Sequence, residues 1–385
     1  MTHSSPSKHN VVFSAPTALF IGELAADAML TEFVQRGVHK PCCLVGGHSR
    51  SNNTVRRLLH LAIPPHPVMC ETSEPPSLDL VESLAAQYTK EACDGLIAIG
   101  SSEIQALARL LRIRLSLSIE DFARIWESEV IGEHVRTSIP LACLPYGDSD
   151  GNESQTHVWY GQKRFNHPGL LVDLIGIDPR VTMLSTPQEI AANACTTMLN
   201  LITTFNDTGH MIMDSYLASG FEFLQNALHN WVFTTHGSSS WKDISSDMVA
   251  AQCIAGICAY NRGNSSIVRF VETLAVDGFA DRHQSAASLL PVLMDGIQQD
   301  SPQQYARLRE FLKQDDPKRL VEDWITLFNP QGLDHIIQEL CIGTFRLFEN
   351  VGVLRDVKPM LTLLANGVQE TPATPSSKKP RRRNP

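Results

Sequence analysis

The chain has little that would staple it covalently or anchor it in a membrane. Its nine cysteines are scattered over 385 residues, Cys42-Cys43 is the only adjacent pair, and no CxxC occurs. That fits reduced thiols in a cytosolic protein better than a disulfide framework or a zinc site. No uncharged apolar run approaches the roughly 18 residues that a membrane span needs. The first ten residues, Met1 to Asn10, lack a signal-peptide core, so a cytoplasmic location is expected. An excess of positive charge is also missing. The formal net charge is −9, which argues against a general nucleic-acid binder. There is no internal repeat. What is present is 43% hydrophobic and 19% charged residues, enough apolar material for a sizeable core spread over two or three domains.

The first half alternates strand and helix patterns. Val11–Phe13 and Ala18–Ile21 read as a small hairpin with Pro16 in its turn. A helix follows Gly22-Glu23 and ends near Gly37. Strands are expected at Pro41–Val45, Val68–Cys70, Leu96–Ile99, Ser138–Leu144, His157–Tyr160 and Gly169–Ile175, with helices near Val55–Leu59 and over Ser77–Tyr88. Such alternation predicts a parallel sheet built by right-handed crossovers, with ligands gathered beyond the carboxyl ends of its strands. Gly46-Gly47 and Gly100-Ser101-Ser102 fall on that edge. The stretch Asp94–Arg109 reads as a buried strand, a glycine turn and a helix start. Two readings of it stand: a phosphate cradle at a helix N-terminus, or a plain strand-to-helix turn with no ligand.

From Thr186 the character changes. Thr186-Pro187-Gln188-Glu189 is a capping box with Pro at the first helical position. Helical patterns then follow over 187–206, 212–232, 243–261, 264–277, 283–298, 302–314, 317–328, 331–347 and 355–365. The expected organisation is a Rossmann-like α/β domain over 11–180, an all-helical bundle over 181–368, and a disordered basic tail over 369–385 containing Lys378 to Arg383.

This order of domains resembles the iron-containing (group III) alcohol dehydrogenases, and more narrowly their maleylacetate-reductase branch. The dehydroquinate synthases share the general architecture. Asp94–Arg109 is similar to the family's strand and Gly-Gly-Gly-Ser phosphate loop, with Arg109 at the position of a family Lys. Ile139-Pro140 and then Tyr146-Gly147-Asp148 sit where the family has Ile-Pro-Thr-Thr and a Gly-Ser-Glu turn. Asn193-Ala194 falls on Asn-Ala of the reductase branch. His283 with Leu289-Leu290-Pro291 matches the family's last His and its Leu-Leu-Pro. Glu272-Thr273-Leu274-Ala275 falls on a His-x-Leu-Gly segment.

The resemblance implies a nicotinamide cofactor, NAD(P)H, held by Gly46, Gly47, Gly100, Ser101, Ser102, Arg109, Pro140 and Tyr146. Glu103 beside the loop would repel a pyrophosphate, and Ser101 and Ser102 narrow its approach. Metal-dependent members hold iron or zinc with one Asp and three His. Here those positions are Asn193, Thr197, Val268 (Arg269 if the gap is placed differently) and His283, so no metal is expected. Glu272, His283 and Arg269 are the candidate catalytic set. Against that stands a plain reading, with Arg269 and Glu272 a surface pair and His283 a helix cap. The expected activity is metal-independent, NAD(P)H-linked reduction of a carbonyl or activated alkene on a carboxylate-bearing small molecule, in a specialised-metabolite pathway. The alternative is a protein of the same fold that has lost redox chemistry and acts as an isomerase, cyclase, dehydratase or binding protein. The partner is a small molecule, with neither nucleic acid nor membrane, and the oligomer expected is a homodimer.

Overall fold

A computed structural model describes residues 13–46, 55–57, 68–72, 77–147, 149, 151–161, 163–205, 210–231, 234–236, 238–263, 265–276 and 282–328. Gly47, Val11 and Val12, the helices expected over 331–347 and 355–365, and the basic tail lie outside them.

Six strands form one parallel sheet: β1 (Ala18–Ile21), β2 (Pro41–Gly46), β3 (Val68–Thr72), β4 (Gly95–Gly100), β5 (Leu141–Pro145) and, after a small antiparallel hairpin of β6 (His157–Tyr160) and β7 (Lys163–Asn166), β8 (Leu174–Ile177). The order across the sheet is β1-β8-β5-β4-β2-β3. From β4 the chain builds outward through β5 to β8, whereas β2 and β3 lie on the other side. The topological switch therefore falls between β2 and β4, where open α/β sheets take ligands. Gly46 and Gly100 end those two strands.

The central strands are apolar without alternation because both faces are covered. Cys43, Val45, Ile97, Ile99 and Leu144 pack under α1 (Ala25–Gln35) with Met29, Leu30 and Phe33. Cys42, Leu44, Leu96, Ala98 and Cys143 pack on the other face under α2 (Leu78–Lys90) and α3 (Ser102–Arg114). The structure corrects two sequence expectations here and adds one helix. β1 pairs in parallel with β8, and Phe13 lies outside any strand, so it forms no hairpin with Phe13. The last strand is Leu174–Ile177, because Gly169 sits in a 3-10 turn over Pro168–Leu170. A helix absent from the sequence reading, α4 (Ile119–Ser128), follows α3, its N-terminus capped by Ser118.

After a short turn, α5 (Pro179–Thr182), the chain is helical. The helices are α6 (Pro187–Thr204), α7 (Met211–Trp231), α8 (Trp241–Arg262), α9 (Ser266–Val276), α10 (Arg282–Asp300), α11 (Pro302–Leu312) and α12 (Pro317–Phe328). Among the described residues no helix is long and apolar enough to cross a membrane. α8 is buried on all sides, as expected of a core helix. It joins the two halves: Val249, Ala250 and Cys253 belong to the core under the sheet, and Met248, Ala251 and Cys258 to the helical core. At the join, Gly256 packs so closely on the turn after β5 that a Cβ there would stand 2.0 Å from the Gly151 carbonyl oxygen.

The start of α6 is held locally. Thr186 accepts from the Glu189 N–H while the Glu189 carboxylate accepts from the Thr186 N–H, a complete capping box. Thr186→Ala removes one half of it and is expected to cost about 1 kcal/mol, read as a fall in the denaturant midpoint at unchanged slope.

Candidate functional site

A cleft of about 490 Å³ opens between the carboxyl edge of the sheet and the helical half. Its floor on the sheet side is the start of α3, with Ser102 and Glu103, and the hairpin residues Trp159 and Gly161. Its other wall is α6, through Gln188, Glu189, Asn193 and Thr196. Ala275 of α9 and Arg282 and His283 of α10 close it. The size is within the range of small-molecule and cofactor sites.

The α3 end is built for an anion in its backbone. Gly100 has φ +151°, which favours glycine, and a Cβ there would press on Ile104 and lie 3.5 Å from the Gly46 nitrogen. Ser101 is the N-cap but makes no side-chain cap, so the first-turn N–H groups lack that partner. The exposed Glu103 carboxylate sits in the same first turn and lines the same cleft.

The remaining sequence-predicted residues divide. His283 is half-buried and faces the cleft. Arg109 does not. It is 1% exposed, donates from Nε to the Leu170 carbonyl and from Nη2 to the Gln155 and His157 carbonyls, and so holds the segment after β5 onto α3. This corrects its assignment to a phosphate. Pro140 is corrected as well. Its carbonyl accepts from the Leu96 N–H at the start of β5, the sheet edge opposite the cleft, whereas Leu144-Pro145 ends that strand beside Gly100. Tyr146 is buried in the core under α1, where its ring packs rather than lining the cleft. Asp148 lies outside the described residues; among those described, the turn that carries a buried carboxylate follows it. It is Gly151-Asn152-Glu153, whose Glu153 accepts from the Cys253 thiol at 2.7 Å.

Glu272 is 4% exposed and does not meet His283 or Arg269 as a set. Its Oε1 is 3.5 Å from His157 Nε2, across the boundary between β6 and α9, and its Oε2 has no hydrogen-bond partner. Burial alone would push this carboxyl up, but the hydrogen bond from His157, the His157 charge and the nearby Arg282 and Arg164 outweigh it and hold the group below the ordinary range. Arg269, one turn earlier on α9, is exposed, so the two do not form one cleft face. The guanidinium in the cleft is Arg282. The sequence reading passed over it, though its place immediately before His283 was the available signal. Nothing in the sequence singles out His157. Only the fold reveals its partner.

No protein-family profile and no curated protein sequence matches the chain. Solved structures do match. An iron-containing alcohol dehydrogenase from Thermococcus thioreducens aligns at a TM-score of 0.72 and 14% identity, over 94% of this chain and 100% of that one. A sulfoacetaldehyde reductase from Bifidobacterium kashiwanohense, solved with NAD+, aligns at 0.70 and 15%, over 94% and 100%. An NADH-dependent butanol dehydrogenase A from Thermotoga maritima aligns at 0.69 and 16%, over 92% and 98%. The fold is that of the iron-containing alcohol dehydrogenases.

An iron-containing alcohol dehydrogenase fold raises the question of a metal and of a dinucleotide. Asn193 of α6 donates its amide to the Gly147 carbonyl at 2.6 Å. A carboxylate there would oppose that carbonyl, so the amide is what ties α6 to the loop after β5. Thr197 and Val268 are buried, and His283 is the one strong donor of the four. An amide already spent, a hydroxyl, an alkyl group and one imidazole do not fit a divalent transition metal. Among the described residues no group of three His, Cys, Asp or Glu side chains converges. The dinucleotide fits better. The Gly46 and Gly100 strand ends and the α3 N-terminus offer backbone to a pyrophosphate, with Glu103 the opposing charge.

Proposed function

We propose that this protein is a metal-independent NAD(P)H-linked oxidoreductase resembling maleylacetate reductase, reducing a carbonyl or activated alkene of a carboxylate-bearing small molecule. The observation that carries the reading is one cleft that joins the α3 N-terminus to Arg282 and His283. NADH dependence and bound NAD+ in proteins of the same fold support the cofactor. When bound, NAD(P)H supplies the hydride. The chain's own residues do the rest. Gly46, Gly100 and the first-turn N–H groups of α3 hold the pyrophosphate. Arg282 takes the substrate carboxylate, and a guanidinium suits that geometry. His283 gives the proton to the oxygen that gains charge.

The test is a fluorescence titration with NADH and with NADPH. Saturable binding of one is expected. Glu103→Gln removes a like charge from the pyrophosphate's side and is expected to tighten binding by about three- to tenfold. Absence of binding of both up to about 1 mM removes the redox reading. It would leave the second reading, a non-redox enzyme or binding protein, which the Glu103 carboxylate at the loop favours. Stoichiometric iron or zinc in purified protein would overturn metal independence.

A further inference from the structure

Beyond His283 the cleft continues into a second chamber of about 320 Å³ with a different chemistry. The two spaces share Gln188, Ala192 and His283. The second is walled by Pro187, Ala191 and Cys195 of α6, Ala287 of α10 and Trp231 at the end of α7. It exists because α6 and α10, which pack on one another, present alanines here, where the neighbouring turns of α10 carry Leu289 and Leu290. A longer side chain at position 191 or 287 would occupy it. Away from His283, at the junction with the first space, the titratable group in the wall is the Cys195 thiol, which burial pushes up to about 12, so that part of the wall stays neutral at physiological pH. Trp231 is braced: its ring lies 5.4 Å from that of Trp241, and Trp241 donates from Nε1 to the Ser185 carbonyl at 3.1 Å.

We propose that this chamber is a substrate subsite for an apolar arm, so that the substrate is amphipathic: its anionic end at Arg282, its reacting centre at His283, and an aryl or branched alkyl group against Trp231. Charge and apolar wall meet at His283, so a molecule reacting there must present one end to each. A pocket of about 150 Å³ already suffices for a benzene ring, so this one holds a substituted ring. The identity of the reacting centre rests on the oxidoreductase reading. The existence of the subsite does not.

The test compares phenylpyruvate with pyruvate, two 2-oxo acids that differ only in the aryl arm, by tryptophan fluorescence and calorimetry without any nicotinamide. On the native protein phenylpyruvate is expected to bind at least about tenfold more tightly, the effect of burying one aromatic ring. Ala191→Leu, filling the chamber, is expected to bring the two acids within about twofold. Trp231→Phe is expected to abolish the fluorescence quench while keeping binding, and it carries the test should Ala191→Leu not fold. Equal affinity for the two acids, no saturable binding of either, or a preference that survives Ala191→Leu in folded protein overturns the subsite. Because no cofactor is present, loss of the redox reading leaves these outcomes unchanged. NADH binding with no aryl preference would sink the subsite alone.

Discussion

Arg109→Met should lower the stability of the protein by about 3–5 kcal/mol and leave the affinity of the folded protein for NADH unchanged. The guanidinium is buried and serves three backbone carbonyls, those of Leu170, Gln155 and His157. Methionine fills similar length but cannot donate, so each carbonyl loses its partner in a place water does not reach. Arg112 beside it holds the same segment through the Leu171 carbonyl and Asp173, so the segment does not detach wholesale and the loss is read as stability. The expected measurement is a melting temperature lower by on the order of 10 °C. An unchanged melting temperature with NADH binding weakened tenfold or more would return Arg109 to a phosphate-binding role.

Arg109 also shows what a sequence can and cannot convey. The strand Leu96–Ile99 was legible because four consecutive apolar residues need cover on both faces, and the structure buries all of them. The start of α6 was legible because a capping box is a contact between residues three apart. Arg109 was misread because what it bonds lies 46 to 61 residues away, beyond any periodicity. The strand β7 was missed because Lys163-Arg164-Phe165-Asn166 has a single apolar residue, and it pairs with β6 through its backbone. α4 was legible and was passed over: Ile119, Phe122, Ile125 and Trp126 recur at helical spacing behind the Ser118 N-cap. Pro140 and Pro145 bracket the same apolar run. Pattern alone did not say which ends the strand at the ligand edge. The cleft was partly legible: Asn193 and His283 were found from their place in a pattern, whereas Arg282 and the His157–Glu272 pair needed the fold.

That pair separates the two candidates for the proton donor, and a comparison of His283→Ala with Glu272→Gln tests the separation. His283 is half-buried at the junction of the cleft and the apolar chamber, where a reacting oxygen can reach it. His283→Ala should lower kcat for NADPH- or NADH-dependent reduction of the best 2-oxo acid by about 10² or more, with the melting temperature little changed. Glu272 is sealed beside His157 and held ionised, so it has no proton to give at neutral pH. Glu272→Gln should therefore act on stability first. A carboxyl depressed in the folded state stabilises the protein above its unfolded value, and that contribution is lost as pH falls through the folded value. The native protein should lose stability from the ordinary carboxyl value of 4.5 downward, and the Gln variant should show a shallower fall over the same window while being less stable at pH 7. If instead Glu272→Gln abolishes turnover at unchanged stability and His283→Ala does not, the assignment is reversed, and the proton comes from the buried pair between the two halves of the molecule.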